Sequence, residues 1–114
     1  MNEGEIRRIL EQVNEETLAR MRSEGFCYQG RKRHDPLVWD VNNGWCEEWA
    51  DRAAELLPGS YTEDFIPGYS PGGDSGHTWL VYGGRHYDAE CLGGVTDPAR
   101  LPFFAVLQVP RPEP

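Results

Sequence analysis

Along the first quarter of the chain, Ile6, Leu10, Val13, Thr17 and Met21 recur at steps of three and four with charged residues between them. That period predicts an amphipathic helix over about 3–24, closed by Gly25 as a C-terminal cap. From Phe26 to Asn43 the periodicity dissolves into aromatic, basic and turn residues, including Asp35-Pro36. Because Phe26, Tyr28, Leu37, Val38 and Trp39 need burial, the stretch reads as a long ordered loop.

The helical period returns in "NNGWCEEWADRAAELLPG", residues 42–59. Cys46, Trp49, Ala50, Ala53, Leu56 and Leu57 share one face, and Glu47, Glu48, Asp51, Arg52 and Glu55 share the other. A helix over about 44–57 follows, with an Asn available to cap its start and Pro58-Gly59 to stop it. Beyond it, strand-like patterns near 61–66, 77–82, 85–90 and 104–109 are separated by Gly/Pro-rich turns. Helices followed by a run of strands indicate an α+β domain with a mainly antiparallel sheet. The closing "VPRPEP" reads as a frayed tail.

At 114 residues, the chain is expected to form a single domain over 1–114. Its net charge of -8 argues against a nucleic-acid or anionic-membrane partner. The short "GRKRHD" run, residues 30–35, reads as a solvated loop. No apolar stretch approaches the about 20 residues of a membrane span, and "MNEGEIRRIL" lacks the pattern of a secretory signal. Cys27, Cys46 and Cys91 are odd in number and carry no paired spacing, so neither a disulfide framework nor a CxxC metal site is indicated. A reducing, cytoplasmic setting is the expectation, and neither a cofactor nor a metal is called for.

Cys46 is the first candidate for chemistry. A thiol at a helix start is acidified by the macrodipole and by N–H groups lacking partners within the helix. An inward cysteine on an apolar face is equally a packing residue. The downstream segment "GHTWLVYGGRHYDAE", residues 76–90, changes that balance. With Gly83-Gly84 as a two-residue hairpin turn, Tyr82 pairs with Arg85, Val81 with His86, Trp79 with Asp88 and His77 with Glu90. Alternation then puts His77, Trp79, His86, Asp88 and Glu90 on one face, with His77 and Asp88 as diagonal neighbours. A three-residue loop would turn Asp88 away and leave Glu90 or no acid at all.

A nucleophile, a base and an orienting acid are the parts of nucleophilic acyl transfer. Trp49 and Trp79 read as core, and His86 and His34 as bystanders. The Gly/Pro-rich "PGYSPGGDSG", residues 67–76, suits the border of a cleft or a plain connector.

These segments carry a resemblance. "GWCEEWA" resembles the G-x-C-x-x-aromatic-A segment of the transglutaminase-like superfamily, and "HTWLVYGGRHYDAE" resembles its H-x-W strand followed by a strand ending in D-x-[ET]. The resemblance covers roughly residues 42–90. It implies a papain-like α+β fold, with Cys46 as nucleophile, His77 as base and Asp88 as orienting acid. The short spans between these residues leave no room for the calcium-binding domains of larger members.

An oxyanion contact is expected from the Cys46 backbone N–H, with Asn42, Asn43, Trp39 or Trp45 as candidate second donors. The expected function is a cysteine-dependent hydrolase or acyl-transfer enzyme acting on a peptide, protein or other amide-containing substrate. A binding or assembly protein that retains the fold is the alternative. A metal site drawn from Cys46, His77, His86 and Cys91 has the residue types but poor spacing.

Overall fold

The computed structural model describes residues 1–24, 27–28, 31–32, 35–66 and 76–104. In chain order these form α1 (Glu3–Glu24), β1 (Cys27–Tyr28), β2 (Arg31–Lys32), α2 (Val38–Asn42), α3 (Cys46–Leu56), β3 (Tyr61–Glu63), β4 (Trp79–Tyr82), β5 (Arg85–Asp88) and β6 (Cys91–Val95). A 3₁₀ turn, Pro98–Arg100, follows. β1 and β2 form a small antiparallel pair, and the remaining strands form an antiparallel sheet in the order β3-β4-β5-β6. The architecture is therefore α+β.

The apolar stripe of α1 places Ile6, Leu10, Val13, Thr17 and Met21 in the interior, and Thr17 satisfies its hydroxyl on the Val13 carbonyl at 2.8 Å. These side chains join Trp49, Ala50, Ala53 and Leu57, against Leu80, Tyr87 and Ala89 of the sheet layer. Burial of each large member stabilises the fold by about 1.5–3 kcal/mol. Polar bonds tie the layers together. Trp49 Nε1 donates to Asn14 Oδ1 at 2.6 Å, and Asn14 Nδ2 donates to the Ala89 carbonyl at 3.1 Å.

Trp79 and Val81 alternate with Leu80 and so point to the opposite face, where they pack with Leu101 and Phe104. Leu101 and Phe104 are brought there by the chain after β6. Asp97 Oδ1 accepts from the Ala99 N–H at 3.0 Å, which opens the 3₁₀ turn, and Phe104 N–H bonds the Leu101 carbonyl at 2.9 Å.

The β4–β5 hairpin has the expected register, pairing Leu80 with Tyr87, Val81 with His86 and Tyr82 with Arg85. Gly83 and Gly84 have φ of 59° and 78°. Positive φ at both central positions is what a type I′ turn requires, and glycine adopts it without steric cost.

Several expectations need correction. The 26–43 region is not all loop, since residues 38–42 form the short α2, whose Asp40 Oδ2 accepts from the Leu37 N–H at 2.8 Å. The catalytic-helix candidate begins at Cys46 rather than 44 and has Trp45 at its N-cap with no side-chain cap. Asn42 is occupied as the last residue of α2 and Asn43 as its C-cap. The strand expected over 61–66 ends at Glu63, and the one over 77–82 starts at Trp79. The strand over 85–90 ends at Asp88, because a tight turn follows.

Phe104 lies in a helical turn rather than opening a strand, as its i−3 hydrogen bond to Leu101 dictates. The rest of that 104–109 segment lies outside the described residues. So do Gly25, Phe26, the side chains of Cys27 and Tyr28, His34, residues 67–75 and the tail.

β6 is an addition to the expected strands. Its pairing with β5 shifts register between His86 and Asp88, matching His86 to Val95 and Asp88 to Cys91. Gly94 accommodates this irregularity at φ 75°, with the Tyr87 ring so close that a Cβ there would lie 2.6 Å from Cε2.

Candidate active site

Three elements converge on one catalytic-type arrangement. α3 presents Cys46 from its first residue, the segment entering β4 presents His77, and the end of β5 presents Asp88. His77 Nε2 lies 3.1 Å from Asp88 Oδ2. A carboxylate only accepts, so this contact assigns the Nε2 proton to the imidazole. The Cys46 thiol also acts on the imidazole, by hydrogen bond and by charge.

Asp88 is held from its other oxygen as well. Oδ1 accepts from the Glu90 N–H at 3.0 Å, closing an Asx-type turn between β5 and β6. The same carboxylate thus makes the hairpin tight and fixes the plane in which Oδ2 meets the imidazole. Glu90 itself is exposed and accepts from Asn42 Nδ2 at 2.8 Å. It ties the end of α2 to this turn.

The electrostatics follow from these contacts. Burial alone would push the Cys46 thiol up, but hydrogen bonds from His77 and from the Thr78 and Glu47 backbone N–H groups, with the charge of His77, bring it below the ordinary cysteine value. For His77, burial would push the imidazole down. Asp88 and Cys46, by hydrogen bond and by charge, instead raise it. The first shift favours the thiolate and the second the imidazolium. Cys91 behaves oppositely, pushed up by burial and by the nearby Asp88 charge.

The imidazole sits in an aromatic enclosure. Phe103 stacks on it with ring centres 4.3 Å apart and planes 11° from parallel. Phe104 meets it edge-on at 5.6 Å, and Trp79 lies at 6.1 Å. The His77 and Asp88 side chains are 0% and 1% exposed. Cys46 remains half-buried.

A cleft of about 210 Å³ is lined by Glu47, Asp51, Thr62, Glu63, Asp64 and Thr78. Glu47 and Thr78 are also the residues whose backbone N–H groups hold the sulfur.

Among the other sequence candidates, His86 is drawn away by Trp79, whose Nε1 donates to His86 Nδ1 at 3.0 Å. Asn43 Nδ2 donates to the Trp39 carbonyl at 2.8 Å and so braces α2. Trp39 is 43% exposed, while the half-buried Trp45 has the Arg20 guanidinium 5.2 Å above its ring. Among the described residues, no group of three or more His, Cys, Asp and Glu is placed to hold a metal ion. Cys46 and Cys91 are both free thiols. No helix of the described residues is long and apolar enough to cross a membrane.

Sequence reasoning missed Thr78 and Phe103. Thr78 acts through its backbone, to which its side-chain type gives no clue. Phe103 falls just before the strand expected over 104–109 and has no expected role, although two adjacent aromatics after a Pro were the available signal.

No protein-family model, no curated protein and no solved structure matches this chain significantly.

Proposed function

We propose that this protein is a cysteine-dependent hydrolase or acyl-transfer enzyme with a papain-like, transglutaminase-like core, acting on an amide or peptide-like bond. The observation that carries the reading is the relay from the Cys46 thiol through His77 to the buried Asp88 carboxylate.

In this mechanism the Cys46 thiolate attacks the carbonyl carbon of the scissile amide. The carbonyl electron pair moves onto oxygen, where first-turn N–H groups of α3, that of Cys46 foremost, stabilise the charge. Collapse re-forms the carbonyl and breaks the C–N bond, and the leaving nitrogen takes the proton from the imidazolium. The resulting thioester is attacked by water or an amine. Neutral His77 removes the attacking proton and returns it to sulfur as the product departs.

The acyl substrate is proposed to lie along the cleft bordered by Glu47 and Thr78, whose carboxylates disfavour an anionic substrate there. A free, acidified thiol suits a reducing compartment such as the cytoplasm.

One observation favours a second reading, that of a binding protein retaining the fold: the imidazole is wholly enclosed. A thiol-reactive peptide probe, such as a peptidyl vinyl sulfone, separates the two. The enzyme reading predicts labelling of the native protein at Cys46, none in Cys46→Ala, and a roughly hundredfold or greater loss in His77→Ala. Slow labelling spread equally over the cysteines would leave only the binding reading.

A further inference from the structure

The aromatic enclosure of His77 is more specific than burial requires. Filling space around an imidazole needs only apolar volume, which Leu or Met would supply. Instead, Phe103 lies flat on the ring, 11° from parallel at 4.3 Å, while Phe104 stands perpendicular to Phe103 at 85° and to Trp79 at 86°. The segment bearing these rings is anchored at both ends. Asp97 fixes the start of the 3₁₀ turn, and Leu101 and Phe104 are fully buried. Phe103 is therefore presented to the imidazole by a held turn and remains half-exposed on its other side.

We propose that Phe103 is a positioning residue for the acyl-transfer chemistry: its ring clamps the His77 imidazole in the plane joining Cys46 to Asp88 and offers a π face to the imidazolium. The inference rests on the proposed reading of Cys46 and His77 and adds a residue to it. Rocking of the imidazole about its Nε2 bond to Asp88 would carry it out of line for proton transfer with Cys46. A parallel ring against its face blocks that motion.

The negative face of the ring also attracts the cationic form of the imidazole in a site shielded from water. Among the described residues, the titratable groups acting on His77 are Asp88 from β5 and Cys46 from α3, and the aromatic rings against it are the uncharged Trp79, Phe103 and Phe104. Cys91 lies beyond, paired with Asp88 across the β5–β6 ladder. Replacing Phe103 by an aliphatic side chain keeps the desolvation but removes the π face, which disfavours the imidazolium and with it the thiolate.

The test is iodoacetamide alkylation of the full chain across pH, resolved by peptide mass at Cys46 with Cys91 as internal reference, in the parent, Phe103→Leu and Phe103→Trp. Phe103→Leu is expected to move the Cys46 profile upward by roughly half a pH unit and to slow its alkylation on the acid side of that profile by about threefold. Phe103→Trp is expected to restore the parental profile, with Cys91 unchanged throughout. Phe103→Met serves in place of Phe103→Leu if thermal melting shows the latter unfolded.

A Phe103→Leu profile coincident with the parent, or a Phe103→Trp profile no better than Phe103→Leu, overturns the inference while leaving the activated thiol intact. Coincident profiles for Cys46 and Cys91 in the parent overturn the activated thiol itself, and this inference with it.

Discussion

His77 and Asp88 are joined across 3.1 Å by two side chains that are almost wholly shut off from solvent, and the same Asp88 carboxylate closes the turn that ends its own strand. The carboxylate proposed to orient the imidazole is thus built into a hairpin, so that folding the turn also aims it.

Asp88→Asn is the variant that separates those two roles. The amide oxygen can still accept from the Glu90 N–H, so the turn survives, but an acceptor facing Nε2 is lost if the amide nitrogen turns toward the ring. Peptidyl vinyl sulfone labelling of Cys46 is expected to fall by roughly a hundredfold or more with the circular dichroism unchanged. Labelling at the parental rate would show that Asp88 has only the turn role.

The His77 titration should report the same contact. Its pKa stands above the ordinary histidine value because Asp88 and Cys46 outweigh burial. The stabilisation this provides is therefore fully present below the unfolded-state value and lost as pH rises through the folded-state value. Imidazole resonances of His77 followed by NMR should show a midpoint above that of an exposed histidine. In Asp88→Asn, where burial is opposed by Cys46 alone, the midpoint should drop. An unchanged midpoint would mean that Asp88 does not support the imidazolium.

Loop length between β4 and β5 sets which face Asp88 occupies. Inserting one residue between Gly83 and Gly84 shifts the pairing or forces a bulge, and a one-residue slip sends β5 side chains to the opposite face. Cys46 labelling in the insertion variant should fall to the level of His77→Ala. Undiminished labelling would dissociate the hairpin register from the site.

Gly94→Ala tests the packing that gives β6 its irregular register. The new methyl would meet the Tyr87 ring at 2.6 Å on a backbone with φ 75°, and both effects are unfavourable. The expected loss is about 1–3 kcal/mol in denaturant unfolding. A cost within about 0.5 kcal/mol would mean that the Tyr87 ring moves aside freely.

The parts of this structure legible in the sequence are those governed by local rules. α1 announces itself through five buried positions at helical spacing, and the β4–β5 register follows from a Gly-Gly turn whose positive φ values only one hairpin type uses. With that register known, the proximity of His77 to Asp88 could be worked out on paper. β6 was hidden because "CLGGV" reads as a turn. Gly94 serves instead to pass beneath the Tyr87 ring, a tertiary fact.

α2 was hidden for a different reason: five residues are too few to display a period, and its apolar Leu37 and Trp39 face outward. Trp45 at the N-cap of α3 contradicts capping preference, and the Asn expected there is drawn into α2 by the chain connection. The contacts of Thr78 with the thiol and of Phe103 with the imidazole depend on how distant segments pack, and no local pattern encodes them.

The central claim is that His77 activates Cys46, and the pH dependence of Cys46 alkylation in the native chain and in His77→Ala tests it most directly. The thiol lies below the ordinary cysteine value chiefly because His77 and neighbouring N–H groups overcome the effect of burial, whereas Cys91 lies above it. Cys46 should therefore react at lower pH than Cys91 in the native protein, and its profile should move toward that of Cys91 when His77 is replaced. Cys46 and Cys91 profiles that coincide in the native protein, or a Cys46 profile unmoved by His77→Ala, would contradict the account.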